Sequence, residues 1–324
     1  MKRYYWVVML LATTVAFGQR VENTSSYRNI GYRNIGAERY VRLNYDNDFF
    51  ALSDEYYTQG VNVEFVAPAI ARFPLAKLLF QNDHLPTRTG FAIEHQGFTP
   101  SNIVKGEILE HDRPYSSSLM LKTFSIVSNP HTNHRLATQL SVGVVGPWAM
   151  GKEIQIALHE RINPDKVPRG WKNQVRNDLI LNYQIEYEHG LLVKRNFLIT
   201  AKGGARAGTY NTRLSSSFTF MGGYFDNPFQ FPNSQDKKFQ VYLYAEPQLN
   251  LVVFDATLQG GVFNDHSPYT LDRDEISRLV FQQHAGLVIK LWSLTLEYSQ
   301  TLITREFKHG TAHSWGSIRA AWSF

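Results

Sequence analysis

The feature that most constrains this chain is a period-two alternation that recurs from one end to the other. In "HSWGSIRAAWSF", Gly316, Ile318, Ala320, Trp322 and Phe324 share one face, and Ser317, Arg319, Ala321 and Ser323 share the other. "SLTLEYSQ", "DLILNYQIEYEH", "GVNVEFV" and "ERYVRLNYDND" repeat the pattern, with Leu, Val, Ile, Tyr and Phe against Asn, Gln, Glu, Thr and Arg. Side chains of an extended strand point alternately to opposite faces, so each segment reads as a strand with one apolar and one polar side. A soluble sandwich also alternates. An outer-membrane barrel turns its apolar, aromatic-rich face to lipid and its polar face to the interior.

Three further observations favour the membrane version. The N-terminus, "MKRYYWVVMLLATTVAFGQR", has Lys2 and Arg3, then an apolar run, then Ala16 and Gly18 flanking Phe17. That is the pattern of a secretory signal peptide, and the run is shorter than the roughly 20 residues of a membrane helix. Aromatic residues make up 14% of the chain and often end the alternating segments, where the aromatic girdles of a barrel lie. The chain has no cysteine and stops on Phe324, as the last strands of outer-membrane barrels do. The expected organisation is a signal peptide over 1–18, an N-terminal periplasmic segment over 19–37 and an all-β, antiparallel transmembrane barrel over 38–324 in the cell outer membrane. The net charge of +5 suits a phosphate-bearing partner, and no basic run suggests nucleic acid.

About twelve strands are expected, near 38–48, 57–67, 89–97, 115–128, 133–145, 178–188, 196–207, 211–222, 239–252, 279–291, 293–303 and 313–324. This assignment leaves 68–88 and 223–237 as long periplasmic connections, against the short turns usual at that end, and leaves the count between 189 and 237 open. One segment is helical in character. "AMGKEIQIALHERINP", 149–164, has good helix formers and stops at Asn163-Pro164, giving a short helix in an extracellular loop with Gln155, His159 and Ile162 on one face.

With the N-terminus in the periplasm, the turn in "YDNDFFALSDEYYTQG" and the loop carrying the helix fall at the same, exterior end. The turn collects Asp46, Asn47, Asp48, Asp54, Glu55 and Thr58. Taken alone it reads as a solvated hairpin or as a cation site, and the hairpin is the commoner case; it is not an EF-hand loop. Strict alternation puts Asp48 on the polar face with Asp46 and Thr58 on the polar face with Asn62 and Glu64, and points Asn47 the other way. His159 alone is either a surface residue or a general base for water. Arg113 in "HDRPYS" is either a contact for lipid phosphates or an interior ion pair with Asp112. Gly170-Trp171 is expected to fix a turn and pack the helix, and Arg206 to join an interior charge network. No G-x-S-x-G elbow is present.

Asn47-Asp48, "SDEYYTQG", "FTPSNI", "HDRPYS", "GVVGPWAMGKEIQIALHE", "RGWKNQ" and "TLITREF" follow one another in the order seen in LpxR-type lipid A 3′-O-deacylases, and the chain resembles that family from about residue 38 to its end. The resemblance implies a twelve-stranded barrel, a site between the barrel wall and a loop helix, and Ca²⁺-dependent hydrolysis of an acyl ester of lipid A, similar to that of secreted phospholipases A2. It implies His159 as the base for water, Asp48 with Asn47 and Thr58 as the cation ligands, and Gln155 as the group orienting water or substrate. Arg113 is the candidate substrate contact, and lipid A in the outer leaflet the partner of a monomer. The chain departs from the family pattern at "EHQGFTP", where Gln96 and Gly97 stand and no lysine occurs, and at Ser116-Ser117, where the family has Ala-Gly. An outer-membrane phospholipase and a non-catalytic, porin-like barrel are the alternatives.

Overall fold

A computed structural model describes residues 37–47, 56–162, 167–230 and 237–324. The expected signal peptide, nearly all of the N-terminal segment, and Asp48, Asp54 and Glu55 of the acidic turn lie outside the described residues.

Twelve antiparallel strands close into one barrel. They are β1 (Tyr40–Asn47), β2 (Tyr56–Val66), β3 (Thr87–Thr99), β4 (Ser116–Asn129), β5 (His134–Val145), β6 (Asp178–Val193), β7 (Phe197–Gly208), β8 (Asn211–Tyr224), β9 (Phe239–Asp255), β10 (Leu279–Leu291), β11 (Leu294–Ile303) and β12 (His313–Ser323). Each pairs with its sequence neighbours, and β1 pairs with β12 from Tyr40↔Ser323 to Asn47↔Gly316. Closure leaves no edge strand, which a sheet in lipid requires. Strands 7 and 8 account for the segment whose count the sequence left open, and they are joined by Thr209 and Tyr210.

The alternation sets which face is which. In β6, Leu179, Leu181, Tyr183, Ile185 and Tyr187 are exposed on the outside, while Asn182, Gln184, Glu186 and Glu188 are buried inside. The interior holds paired charges. Arg42 meets Glu64 at 2.5 Å, Lys202 meets Glu246 at 2.6 Å, and Lys122–Glu94 and Arg319–Glu297 are also joined. Arg206 donates to Gln184 at 2.8 Å, in the expected network. A buried charge is costly unless it is paired, and these interior charges are paired.

The two long connections are explained by where they fold. Residues 67–86 form a strap up the outside wall through two short 3-10 turns, Pro68–Arg72 and Pro74–Leu78. Phe73 packs edge-on against Phe91, the Leu78 carbonyl accepts from Tyr183, and the Phe80 amide donates to Thr138. The connection after β8 turns inward instead. Phe225 and Phe229 join Leu198, Met221, Tyr242 and Val288 in a buried cluster, and Arg135 lies over the Phe229 ring. At the opposite end, Tyr56, Tyr57, Phe98, Phe307 and Trp315 form a second apolar cluster with residues of the 256–278 loop. That end, which carries the long loops 100–115, 146–177 and 256–278, is termed the loop end below.

Candidate functional site on the outer wall

Three registered rows on the outside of β1–β4 change character toward the loop end. Leu43, Val63, Ile93 and Leu121 are directly paired, apolar and exposed. The next row is Tyr45, Val61, His95 and Leu119. The third is Asn47, Gln59, Gly97 and Ser117, with no apolar side chain, and its Asn, Gln and Ser are buried. Lipid-facing positions of a barrel are ordinarily apolar. Polar side chains buried at such positions must be covered by protein.

Over β3 and β4 the cover is α1, Gly151–Ile162. It lies within the expected 149–164 segment and is preceded by a 3-10 turn, Pro147–Ala149. Its start is clamped to β4. The Gly146 amide donates to the Ser117 carbonyl at 2.8 Å, and the Ser117 hydroxyl donates to the Gly146 carbonyl at 3.2 Å. Ser117 thus uses both its hydroxyl and its carbonyl to hold the start of this segment. Gly151 sits directly on it: a Cβ there would stand 2.4 Å from the Ser117 Cβ and 2.8 Å from the Trp171 ring. His95 bonds the backbone of Ala149 from the second row.

Gln155 and His159 project from successive turns of α1. Gln155 is buried at 1% exposure, and its Oε1 accepts from the Trp171 indole at 2.7 Å. Trp171 is itself buried against Tyr115, with ring centroids 5.0 Å apart, so the turn at Gly170–Asn173 packs the helix as expected. Burial raises the Tyr115 phenol far above its ordinary range, and it donates to the Ile103 carbonyl. Among the described residues, the Gln155 Nε2 and the His159 Nδ1 are both enclosed without a hydrogen-bond partner. Buried polar atoms nearly always have one, and an exception calls for an explanation such as a catalytic role or a bound water or ion.

Thr58 is where strict alternation fails. Pairing passes from Tyr57↔Phe98 to Gln59↔Gly97, leaving Thr58 as the extra residue of a β-bulge. The bulge turns Tyr57 into the interior, where its hydroxyl donates to Asp46 at 2.8 Å. It turns Thr58 away from Asn62 and Glu64 and brings its hydroxyl to Thr99, 2.9 Å away on the outward row of β3. Gly60 is required beneath: a Cβ there would stand 1.7 Å from the Tyr57 hydroxyl. Asn47 keeps the outward direction that alternation predicts, and its amide donates to the Tyr45 hydroxyl at 2.9 Å. Asn47 and Thr58 therefore share the outer wall, beside the strands on which α1 rests. Asp48 follows Asn47, outside the described residues.

Arg113 is not paired with Asp112. Its guanidinium is wholly buried, donates to Glu306 at 2.7 Å and to Thr257 at 2.7 Å, and lies 4.4 Å from the Phe98 ring centre. The Asp112 carboxylate instead accepts from the Ser101 amide and hydroxyl and from the Arg113 backbone amide, not its guanidinium. The local sequence offers Asp112 as the nearest anion, but its carboxylate is held by the Ser101 amide and hydroxyl. Gln59, Thr99 and Ser117 escaped the sequence reading, because their place in the site comes from the register of neighbouring strands. The stretch without a lysine puts Gly97 on the site row and Gln96 inside, bonded to Tyr210.

A sequence model of the family described as outer membrane protein LpxR matches residues 6–324. No curated protein sequence matches the chain. Among solved structures, LpxR from Salmonella typhimurium matches with a TM-score of 0.72 and 20% identity, over 88% of this chain and all of that one (100%). Weaker likenesses include an outer membrane channel from Pseudomonas putida F1, with a TM-score of 0.46, 10% identity, and 92% and 100% coverage. The β domain of the Bordetella autotransporter BrkA gives 0.45, 9%, and 89% and 100%. With a family match spanning nearly its whole length and a closed twelve-stranded barrel, the chain belongs to the LpxR family of outer-membrane proteins.

Proposed function

We propose that this protein is a lipid A deacylase that hydrolyses the 3′-acyloxyacyl ester of lipid A in the outer leaflet. The observation that carries this reading is the buried polar row Asn47–Gln59–Gly97–Ser117 on the lipid side of the wall, with a helix packed over its β3 and β4 members that carries two polar atoms unpartnered among the described residues. A site built there takes its substrate sideways from the membrane, as a lipid-hydrolysing enzyme requires. The paired charges of the interior and the apolar clusters at both ends weigh against a channel.

His159 is the base that removes a proton from water as its oxygen attacks the ester carbonyl carbon. The C–O bond of the ester then breaks, and the proton returns from His159 to the departing sugar oxygen. Gln155 has one amide end held by Trp171, so its Nε2 is a fixed donor for the water or the carbonyl oxygen. Gln59 adds a second open donor, since its buried Nε2 is also without a partner among the described residues.

The donor set suits a hard cation. Asn47 and Thr58 offer amide and hydroxyl oxygens on one face, and Asp48 supplies the carboxylate by sequence. Such oxygen ligands fit Ca²⁺, whereas zinc favours imidazole and thiolate. Bound there, Ca²⁺ supplies positive charge facing the ester carbonyl oxygen, where negative charge develops.

Mass spectrometry of lipid A incubated with the purified barrel tests the reading. One acyloxyacyl unit should be lost with Ca²⁺ and retained with chelator. Unchanged lipid A with cleavage of phospholipids in the same preparation would replace this reading by a phospholipase. No cleavage of either would sink both.

The helix must stay on the wall for the two halves of the site to meet. Gly151→Val places branched carbon against Ser117 and Trp171, so α1 has to lift. Displacements of about 1 Å can cost about 100-fold in rate. A loss of that order is expected, with the barrel's heat-dependent gel mobility unchanged. Full activity in the variant would show that the clamp is not needed.

A further inference from the structure

We propose that His111, Glu275 and His309 form a second metal site at the loop end, for a zinc-class divalent ion, distinct from the outer-wall site. The three residues come from the loops 100–115, 256–278 and 304–312, and one ligand atom from each lies within 4.8 Å of the other two. His111 Nδ1 is 2.8 Å from Glu275 Oε1, and the His111 and His309 ring centres are 5.0 Å apart. Tetrahedral coordination at metal–ligand distances of about 2.0–2.2 Å sets ligand atoms about 3.3–3.6 Å apart. Two imidazoles and one carboxylate are a zinc ligand set with one position left for water, and they contrast with the oxygen donors on the outer wall.

The backbone beneath is cross-linked, so the trio is not a chance meeting of mobile loops. Ile276 and Phe307 form an isolated antiparallel bridge, the Lys308 amide donates to the Glu275 carbonyl at 2.7 Å, and the Ser277 amide donates to the Glu306 carbonyl at 2.8 Å. These bonds fix Glu275 relative to His309. The third loop is tied to the same frame by the buried Arg113–Glu306 pair and by the Tyr269 hydroxyl, which donates to the Asp112 carbonyl at 3.0 Å. His111 itself is held at φ 61°, a left-handed conformation. Lys308, the cation beside His309, is engaged by Asp274 at 3.0 Å. An ion here would join three loops that are otherwise linked from below.

The proposal does not rest on the deacylase reading, and its test reads metal rather than activity. Zinc is titrated calorimetrically into the purified barrel in excess Ca²⁺, using the wild type, His159→Ala, His111→Gln and His309→Gln. Thermal unfolding is followed in parallel. One zinc per barrel is expected in the wild type and in His159→Ala, with a zinc-dependent rise in unfolding temperature. Either glutamine variant should bind about 100-fold more weakly or worse and lose that rise. Zinc binding unaffected by both substitutions would assign it to other surface histidines. No zinc binding at all would leave His111 and Glu275 as an exposed ion pair. Either result overturns the proposal.

Discussion

Replacing His159 with Ala should lower the rate of lipid A deacylation by about 10²–10⁴-fold, the usual contribution of a positioned base. The barrel's stability should stay within about 0.5 kcal/mol of the wild type, as for surface substitutions that break no named interaction. The two parts of the expectation have one cause. The His159 Nδ1 has no hydrogen-bond partner among the described residues, so no hydrogen bond from that atom is lost with the ring. Gln155→Ala is the contrasting case, because it removes the acceptor of the buried Trp171 indole and should affect rate and stability together. A time course of the released acyl chain, by mass spectrometry, measures the first quantity, and urea unfolding in lipid measures the second. An unaltered rate in His159→Ala would exclude this residue as the base.

Arg113→Ala should be the most destabilising single change at the loop end, by about 3–5 kcal/mol, because it removes the cation paired with Glu306 where neither side chain is exposed. The pair itself need not stabilise the fold. Desolvating two charges costs about as much as their attraction returns, so Arg113→Met combined with Glu306→Leu should recover most of the loss. Thr257, the other acceptor, keeps a partner in either case, since its hydroxyl also donates to Asp255 at 2.6 Å. Urea unfolding of the wild type, the single variant and the double variant gives the comparison. A loss under about 1 kcal/mol in Arg113→Ala would mean that Glu306 is solvated once Arg113 is gone. The result also separates two uses of arginine: one engaged this way is part of the frame, whereas a lipid phosphate contact would change activity before stability.

The alternation in β6 and β12 was legible because it is local. Two faces in two environments force the side-chain types to alternate within each strand, with no knowledge of its neighbours. The helix at Gly151–Ile162, the packing role of Trp171 and the shared end of the acidic turn and the helix followed from the same local patterns and from strand direction. Thr58 was misplaced for the complementary reason. A bulge is a mismatch between two strands, and "YYTQG" shows it only beside the Phe98 and Gly97 it pairs with. Gly60 was a weak sign of it, since glycine inside a strand often marks close approach.

By itself, then, the sequence determined the barrel, about twelve strands with the count between 189 and 237 left open, and the inward and outward faces. Only the tertiary structure decided that Asn47 and Thr58 stand on the same outer wall, that Ser117 and Gly151 clamp the helix above it, and that Arg113 finds Glu306, 193 residues away, rather than its neighbour. It also brought His111, Glu275 and His309 together. The physical reason is the range of the interactions. Strand periodicity is enforced residue by residue along the chain, while register, bulges and buried ion pairs are settled between segments that meet only when the barrel closes.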